Sequence, residues 1–397
     1  MTELPVIRMK PKSNVRAIRH GAPWVFANEV VTDRRTRGIA PGALAVLEDA
    51  DRTPLALVAA NPNSKIIGRV LSRDPAEVVD QAWFEAKLRR ALALREQLFD
   101  TPHYRLVHAE ADGLPGLVID RFGDTLVVQP NAAWLEVRLD ELTAALQVVT
   151  EAENVLKNAS GRTRSLEGLD DLSSVLVGAA PEAALPVVMN GATYLADLTG
   201  GQKTGLFYDQ RMNHSFASRL VAPGAEVLDV FSHVGGFGLA MLAAGAGRAT
   251  CVDGSAPALD LAKDGAAAMG QADQLVIRQG DAFDALAALA AEGATFDVVI
   301  CDPPAFAPSK PALEAGLRAY ERVARLAAAL VKDGGYLGLC SCSHAADLNA
   351  FRTACMRGIG RAGRQGALLH TGFAGPDHPL MPQLAESGYL KALFYRL

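Results

Sequence analysis

The 397-residue sequence predicts an α/β protein: a doubly wound parallel sheet in the C-terminal half, preceded by a small β-rich domain and a small central α/β domain. Three observations predict it. From residue 226 onward, near-continuous apolar strand runs alternate with helical patterns, as in a parallel sheet covered on both faces. Before residue 78 the apolar runs are short and broken by turn residues. Between these textures, residues 81–99 carry an amphipathic helical pattern that opens a third region. The expected domains are 1–78, 79–185 and 186–397.

In the first region the runs APWVFANEVV, GALAVLED, LALVAANP and KIIGRVL are punctuated by Gly21, Pro41-Gly42, Asp51 and Asn61-Pro62, which predicts a small barrel or sandwich. The helix over 81–99 places Phe84, Leu88, Leu92 and Leu98 near one face. YRLVHAE, LPGLVIDRF and DTLVVQP read as strands around Gly113, Gly116 and Gly123, followed by a helix near 134–148 and a loop-rich stretch over 160–186. Asn190-Gly191 between apolar runs predicts a hairpin. The alternation that follows gives EVLDVFS, a helix from Gly236, ATCVDGS, a helix near 256–269, LVIRQG and a helix near 283–291. It continues with FDVVICDPP, a helix near 312–332, YLGLCSCS, a helix near 346–360, GALLHTGF and YLKALFYRL. No helical pattern separates the last two strands, which predicts an antiparallel pair at one edge.

Composition narrows the function. Half of the residues are apolar, yet no apolar run reaches the roughly 18 residues that span a bilayer. The start, MTELPVIRMKPKSNVRAIRH, lacks a signal-peptide core. Five cysteines, at 251, 301, 340, 342 and 355, lie in one half of the chain, unlike a disulfide-stapled secreted protein. A reducing cytoplasm is the expected location. Residues 1–75 hold twelve Lys/Arg against seven Asp/Glu, a net of +5 that leaves −10 on the remainder. A basic segment on an acidic body suits nucleic-acid docking through phosphate attraction, although a solvated basic face explains the same numbers.

In doubly wound sheets, ligands sit at the carboxyl ends of the strands. Those ends read Asp229 to Gly236, then Asp253, then Gly280-Asp281-Ala282, then Asp302-Pro303-Pro304. Asp253 follows Gly235 by 18 residues, the spacing at which an acid reaches a ribose diol. Charge then separates two ligand classes. A dinucleotide brings phosphates, and one unmatched carboxylate–phosphate contact costs on the order of 4 kcal/mol. S-adenosylmethionine brings a sulfonium and an ammonium, which four strand-end aspartates tolerate. Helix capping would explain one or two of those aspartates at most.

Asp302-Pro303-Pro304 forms a rigid turn where an acceptor would meet the donor. Amino-group methyltransferases place an aromatic residue directly after such a turn, whereas this chain has Ala305 and then Phe306. The next strand ends Cys340-Ser341-Cys342-Ser343-His344. Methylation at cytosine C5 needs a nucleophile at C6, and a thiolate suits that role. Cys342 is the candidate nucleophile and Cys340 a small buried residue. A Cys340, Cys342, His344 metal site lacks further ligands at finger or ribbon spacing, so no metal is expected.

The chain resembles the bacterial ribosomal RNA cytosine-5 methyltransferases, which join a PUA domain, a small central α/β domain and a Rossmann-like class I methyltransferase domain. The likeness covers essentially the whole chain and rests on HGAPWVF, EADGLPGLVIDRFGDTLVVQ, GGQKTGLFYDQR, DVFSHVGGF, CDPPAF, SCS and PDHP. It implies that Asp229, Phe231 and Gly235 line the methionine end of the donor, Asp253 the ribose, and Asp281 and Ala282 the adenine. It also implies that Gln210 and Arg211 close over the donor and that Cys342 is the nucleophile. Family members commonly carry Lys where Ala305 stands and Gly where His344 stands. Asp302 is the candidate base for the C5 proton. Lys10, Lys12, Arg16 and Arg19 are the expected RNA anchors, with ribosomal RNA as partner and a homodimer as a candidate assembly. A base-amino-group RNA methyltransferase and a non-catalytic cofactor-sensing RNA-binding protein are the alternatives.

Overall fold

A computed structural model describes residues 4–200 and 205–397, so part of the GGQKTG run lies outside the described residues. Two compact units emerge: Met1–Ala180 with Asp377–Ser387, and Pro181–Pro376 with Gly388–Leu397.

The first unit holds two sheets. The N-terminal one orders β1-β3-β4-β5-β2 from β1 (Val6–Arg8), β2 (Trp24–Phe26), β3 (Leu44–Glu48), β4 (Pro54–Ala60) and β5 (Ile66–Ser72). Only the β1–β3 pair is parallel. Along β3 the residues alternate between buried and half-buried, the period-2 signature of a sheet with one covered face. Two short helices, α1 (Val15–Arg19) and α2 (Arg34–Arg37), start where Asn14 and Asp33 accept a hydrogen bond from the backbone three residues on.

The second sheet orders β10-β9-β8-β7-β6, from β6 (His103–His108), β7 (Leu117–Phe122), β8 (Thr125–Pro130), β9 (Asn154–Lys157) and β10 (Ser174–Val177). Helices α3 (Gln81–Leu98), α4 (Ala133–Val137), α5 (Leu139–Thr150) and α6 (Arg162–Glu167) accompany it. One core joins Leu57, Ala59 and Leu71 of the first sheet to Phe84, Leu88 and Trp134. The helix α3 departs from expectation in its face. Phe84 and Leu88 are buried as predicted, but Leu98 is exposed and Arg95 is fully buried in its place. Arg95 is tolerated there because it makes a bidentate pair with Asp112, at 2.6 and 2.8 Å, and donates to the Asp377 carbonyl.

The second unit opens with the hairpin β11 (Leu185–Met189) and β12 (Ala192–Ala196), turned at Asn190-Gly191 with positive φ at both. Its seven-stranded sheet orders β15-β14-β13-β16-β17-β19-β18, from β13 (Glu226–Val230), β14 (Arg248–Asp253), β15 (Leu275–Gln279), β16 (Phe296–Cys301), β17 (Val331–Ser341), β18 (Ala367–Gly372) and β19 (Lys391–Arg396). The first five pair in parallel and β19 pairs antiparallel with both neighbours, as the missing crossover helix requires. Helices α7 (Arg211–Ser218), α8 (Gly236–Ala243), α9 (Ala256–Ala268), α10 (Ala282–Ala291), α11 (Leu313–Ala328) and α12 (Leu348–Arg361) complete it. Strand order reverses between β13 and β16, so the carboxyl ends of those two strands flank the switch point. Among the described residues, no helix is long and apolar enough to cross a membrane.

Candidate active site

Three left-handed residues shape the turn between β13 and α8. Phe231, His233 and Gly235 have φ of 61°, 50° and 81°. Positive φ at two non-glycine residues costs free energy and persists only where surroundings enforce it. Asp253 supplies part of that enforcement: its Oδ2 accepts from the His233 N–H at 2.8 Å and its Oδ1 from Ser255 at 2.8 Å. Asp229 supplies more, since its Oδ2 accepts from Phe237 and Gly238 at the start of α8. Asp281 caps α10 through the N–H groups of Phe283 and Asp284.

The expectation that capping explains one or two of the strand-end aspartates at most agrees with this geometry. Asp281 is the N-cap of α10 and Asp229 holds first-turn N–H groups of α8, whereas Asp253 braces the loop N–H groups of His233 and Ser255, and Asp302 pairs with Gln210. Asp229 and Asp281 take both bonds on one oxygen and Asp253 takes one on each, which leaves each carboxylate able to accept again.

Asp229 is fully buried, and burial pushes its carboxyl up to about 7 against two backbone hydrogen bonds that pull it down. Its Oδ1 has no hydrogen-bond partner. Gly280, directly after β15, would meet nothing within 4 Å if it carried a Cβ. A buried acceptor lacking a donor, a strained turn and open space over a strand-end glycine fit a cationic nucleoside ligand. Asp229, Asp253 and Asp281 are the residues that would hold it. Ala282 is buried in the core, so any contact it makes there is through its backbone. Phe231, Phe283 and Phe306 add an aromatic wall, with ring centroids 6.2 Å apart for Phe231–Phe306 and 6.1 Å for Phe283–Phe306.

Gln210 and Arg211 lie at the start of α7, both buried. Gln210 donates to Asp302 Oδ2 at 2.9 Å and accepts from Asn213 at 2.6 Å, so it orients the DPP carboxylate. The Arg211 guanidinium lies 5.5 Å from the Tyr208 ring centroid.

Cys342 is the first residue after β17 and is half-buried. Cys251, Cys301, Cys340 and Cys355 are buried, and burial raises each of their thiols above the ordinary value. Accessibility thus selects Cys342 among five. Its loop is held by residues that sequence reasoning did not single out. Ser341 Oγ donates to Tyr320 Oη at 2.8 Å, and Tyr320 Oη lies 2.7 Å from Ser343 Oγ. Ser343 Oγ also accepts from the Ala307 N–H at 2.9 Å. The two serines of SCS thus tie the cysteine loop to the turn that follows Asp302-Pro303-Pro304.

A family model for S-adenosylmethionine-dependent methyltransferases matches residues 124–396. The chain belongs to that family. A PUA-like domain model matches residues 7–73. Curated relatives span the same length: the ribosomal RNA large subunit methyltransferase I of Pseudoalteromonas translucida is 32% identical, with 96% of this chain and 97% of the relative covered. The enzyme of that name from Vibrio vulnificus is 35% identical, with 97% of each chain covered. These place the methyltransferase in the large subunit methyltransferase I group. Among solved structures, a proposed SAM-dependent methyltransferase from Streptococcus mutans superposes with a TM-score of 0.82 at 19% identity, covering 99% of this chain and 100% of that one. A second, solved with SAH, reaches 0.82 at 20% identity with full coverage of both chains. The fold is therefore shared along the whole length, and S-adenosylmethionine is the cofactor of this methyltransferase.

The expected RNA anchors Lys10, Lys12, Arg16 and Arg19 are all exposed on the first unit. Lys10 donates to the Asn28 carbonyl at 3.0 Å, and Arg19 lies 3.6 Å from Asp49. The HGAPWVF, EADG and PDHP runs serve the interior of that unit. Trp24 donates to Glu110 at 2.8 Å, Arg69 bridges Glu110 and Glu167, and the His378 ring lies tilted against that of His108 with centroids 4.9 Å apart.

Proposed function

We propose that this methyltransferase acts on large-subunit ribosomal RNA and methylates C5 of a cytosine through a covalent bond from Cys342 to C6. The observation that carries the reading is the selective accessibility of Cys342, on a loop fastened to the DPP turn. Support for the substrate comes from the relatives' names and full-length coverage. S-adenosylmethionine supplies an electrophilic methyl group at the strand ends. Cys342, as thiolate, adds to C6 and makes C5 nucleophilic. After C5 is methylated, a base takes its proton, the C5–C6 double bond re-forms, and the thiolate leaves. Asp302, oriented by Gln210, is the proposed base. Asp229, Phe231 and Gly235 hold the methionine end of the donor, Asp253 the ribose, and Asp281 and Ala282 the adenine. Gln210 and Arg211 stand beside it. The target base must leave its stack to react, at a cost of a few kcal/mol. The basic segment carrying Lys10, Lys12, Arg16 and Arg19 supplies phosphate affinity without base readout.

The test is nucleoside analysis of large-subunit RNA treated with enzyme and donor. The reading requires 5-methylcytosine; a methylated exocyclic amine of guanine or adenine instead contradicts it.

A further inference from the structure

Lys391 opens β19 and stands opposite Ser341 in the antiparallel ladder, one residue short of Cys342. Only 4% of it is exposed, and Ala392, Leu393 and Phe394 behind it are fully buried. An ammonium in such a place needs partners. Two are present: Nζ donates to the Ser343 carbonyl at 2.7 Å and to the Ala346 carbonyl at 2.8 Å. Both carbonyls belong to the loop that Cys342 begins. Two carbonyls would be served as well by a neutral donor such as glutamine, and they do not balance a charge. The nearby groups that do are Cys342 and Asp347, whose negative forms both favour the charged lysine, while burial works against it and prevails. Cys342 also interacts with the Tyr320 hydroxyl. The other two groups that could favour a thiolate here, the His344 imidazole and the N-terminus of α12, are less well placed. His344 is exposed, and α12 begins only at Leu348 behind the carboxylate cap of Asp347.

We propose that Lys391 is a positioning residue for Cys342: its ammonium fastens the loop through Ser343 and Ala346 and stabilises negative charge on the Cys342 sulfur. This rests on Cys342 being the nucleophile. A loop that only needed closing would not need a cation. A thiolate does, because an unassisted thiol is only a few per cent ionised at neutral pH.

The experiment measures the pH dependence of Cys342 alkylation by iodoacetamide in the full chain, located by peptide mass spectrometry. Lys391→Met is compared with wild type and Lys391→Arg, with unfolding temperature recorded for each. In Lys391→Met the alkylation midpoint should rise by about one pH unit, which slows the reaction about tenfold at pH 7. Lys391→Arg should stay near wild type. An unchanged midpoint in folded Lys391→Met overturns the proposal. Should that variant fail to fold, the coupling is read from the other side, since it is reciprocal. The Lys391 amine, followed by NMR, should lose its proton about one pH unit lower in Cys342→Ala than in wild type; identical titrations overturn the proposal. Failure of the underlying reading looks different. A midpoint that shifts as expected while RNA carrying 5-fluorocytosine forms no adduct leaves the lysine–thiol coupling standing and removes the nucleophile.

Discussion

A carboxyl enclosed as completely as Asp229 resists ionisation, and its two backbone hydrogen bonds offset only part of that cost. Its folded value of about 7 lies above the ordinary 3.8, so the native state binds the proton more tightly than the unfolded chain. The stabilisation is therefore complete below about pH 4 and is lost as pH rises through about 7. Asparagine mimics the protonated acid and can still accept from Phe237 and Gly238. Thermal unfolding of ligand-free Asp229→Asn should match wild type below about pH 4 and lie increasingly above it as pH rises toward about 8. The same variant should bind S-adenosylhomocysteine at least tenfold more weakly by calorimetry, because the partner for the ligand's ammonium is gone. Equal affinity would remove Asp229 from the donor site. The acid at each strand end and its proposed part in holding the donor were readable from the sequence; its use as a clamp on the backbone of the turn was not. That use depends on which N–H groups the turn leaves orphaned, and turn geometry is set by the left-handed residues Phe231 and His233 as much as by Gly235.

At the scale of elements, the loop after β17 and the turn after β16 act as one piece through a chain of hydroxyls from Ser341 to Tyr320 to Ser343 to the Ala307 N–H. Tyr320 lies on α11, more than twenty residues upstream in sequence, where no motif marks it. Helical periodicity reports only that this position faces the core. Tyr320→Phe leaves Ser341 and Ser343 short of a buried partner. It should cost about 1–3 kcal/mol in denaturant unfolding. Methyl transfer should fall well beyond that of a comparable apolar substitution such as Val323→Ala on the same helix. Equal losses would mean that the hydroxyl chain only stabilises the domain. Arg95 shows the limit of periodicity from the other direction. Its place on the buried face of α3 is invisible to an apolar pattern and makes sense only with Asp112, seventeen residues on. Asp112→Ala strands that guanidinium and should destabilise the protein by about 3–5 kcal/mol in the same assay. The alternation of strands and helices, the edge pair β18–β19 and the hairpin at Asn190-Gly191 followed from local period and turn residues, because each is fixed by short-range chemistry.

Each of the two units also keeps a histidine in neutral form, His108 half-buried and His214 buried. Burial holds His108 down at about 2 and His214 at about 3, both far below the ordinary 6.5. The unfolded chain therefore takes up protons that the native state refuses, and stability present above pH 6.5 is lost as pH falls toward these values. The unfolding midpoint should drop on acidification below pH 6.5, and His214→Gln should flatten that drop; an unaltered slope would mean the histidine stays neutral in both states. Replacing Lys10, Lys12, Arg16 and Arg19 with alanine should reduce the salt dependence of RNA binding by about 0.7–0.9 in log–log slope for each phosphate that is no longer neutralised. Unaltered salt dependence would place the RNA elsewhere. What would join these features into the proposed RNA cytosine methyltransferase is the chemistry at Cys342, and one measurement bears on it most directly. RNA carrying 5-fluorocytosine cannot lose its C5 substituent as a proton, so after methyl transfer the bond to C6 cannot break. Incubated with donor, the wild-type chain should form a covalent adduct that peptide mapping places on Cys342. Cys342→Ala should form none, and Cys340→Ala should form it as wild type does. An adduct on Cys301 or Cys340, or methyl transfer that survives in Cys342→Ala, would contradict the account.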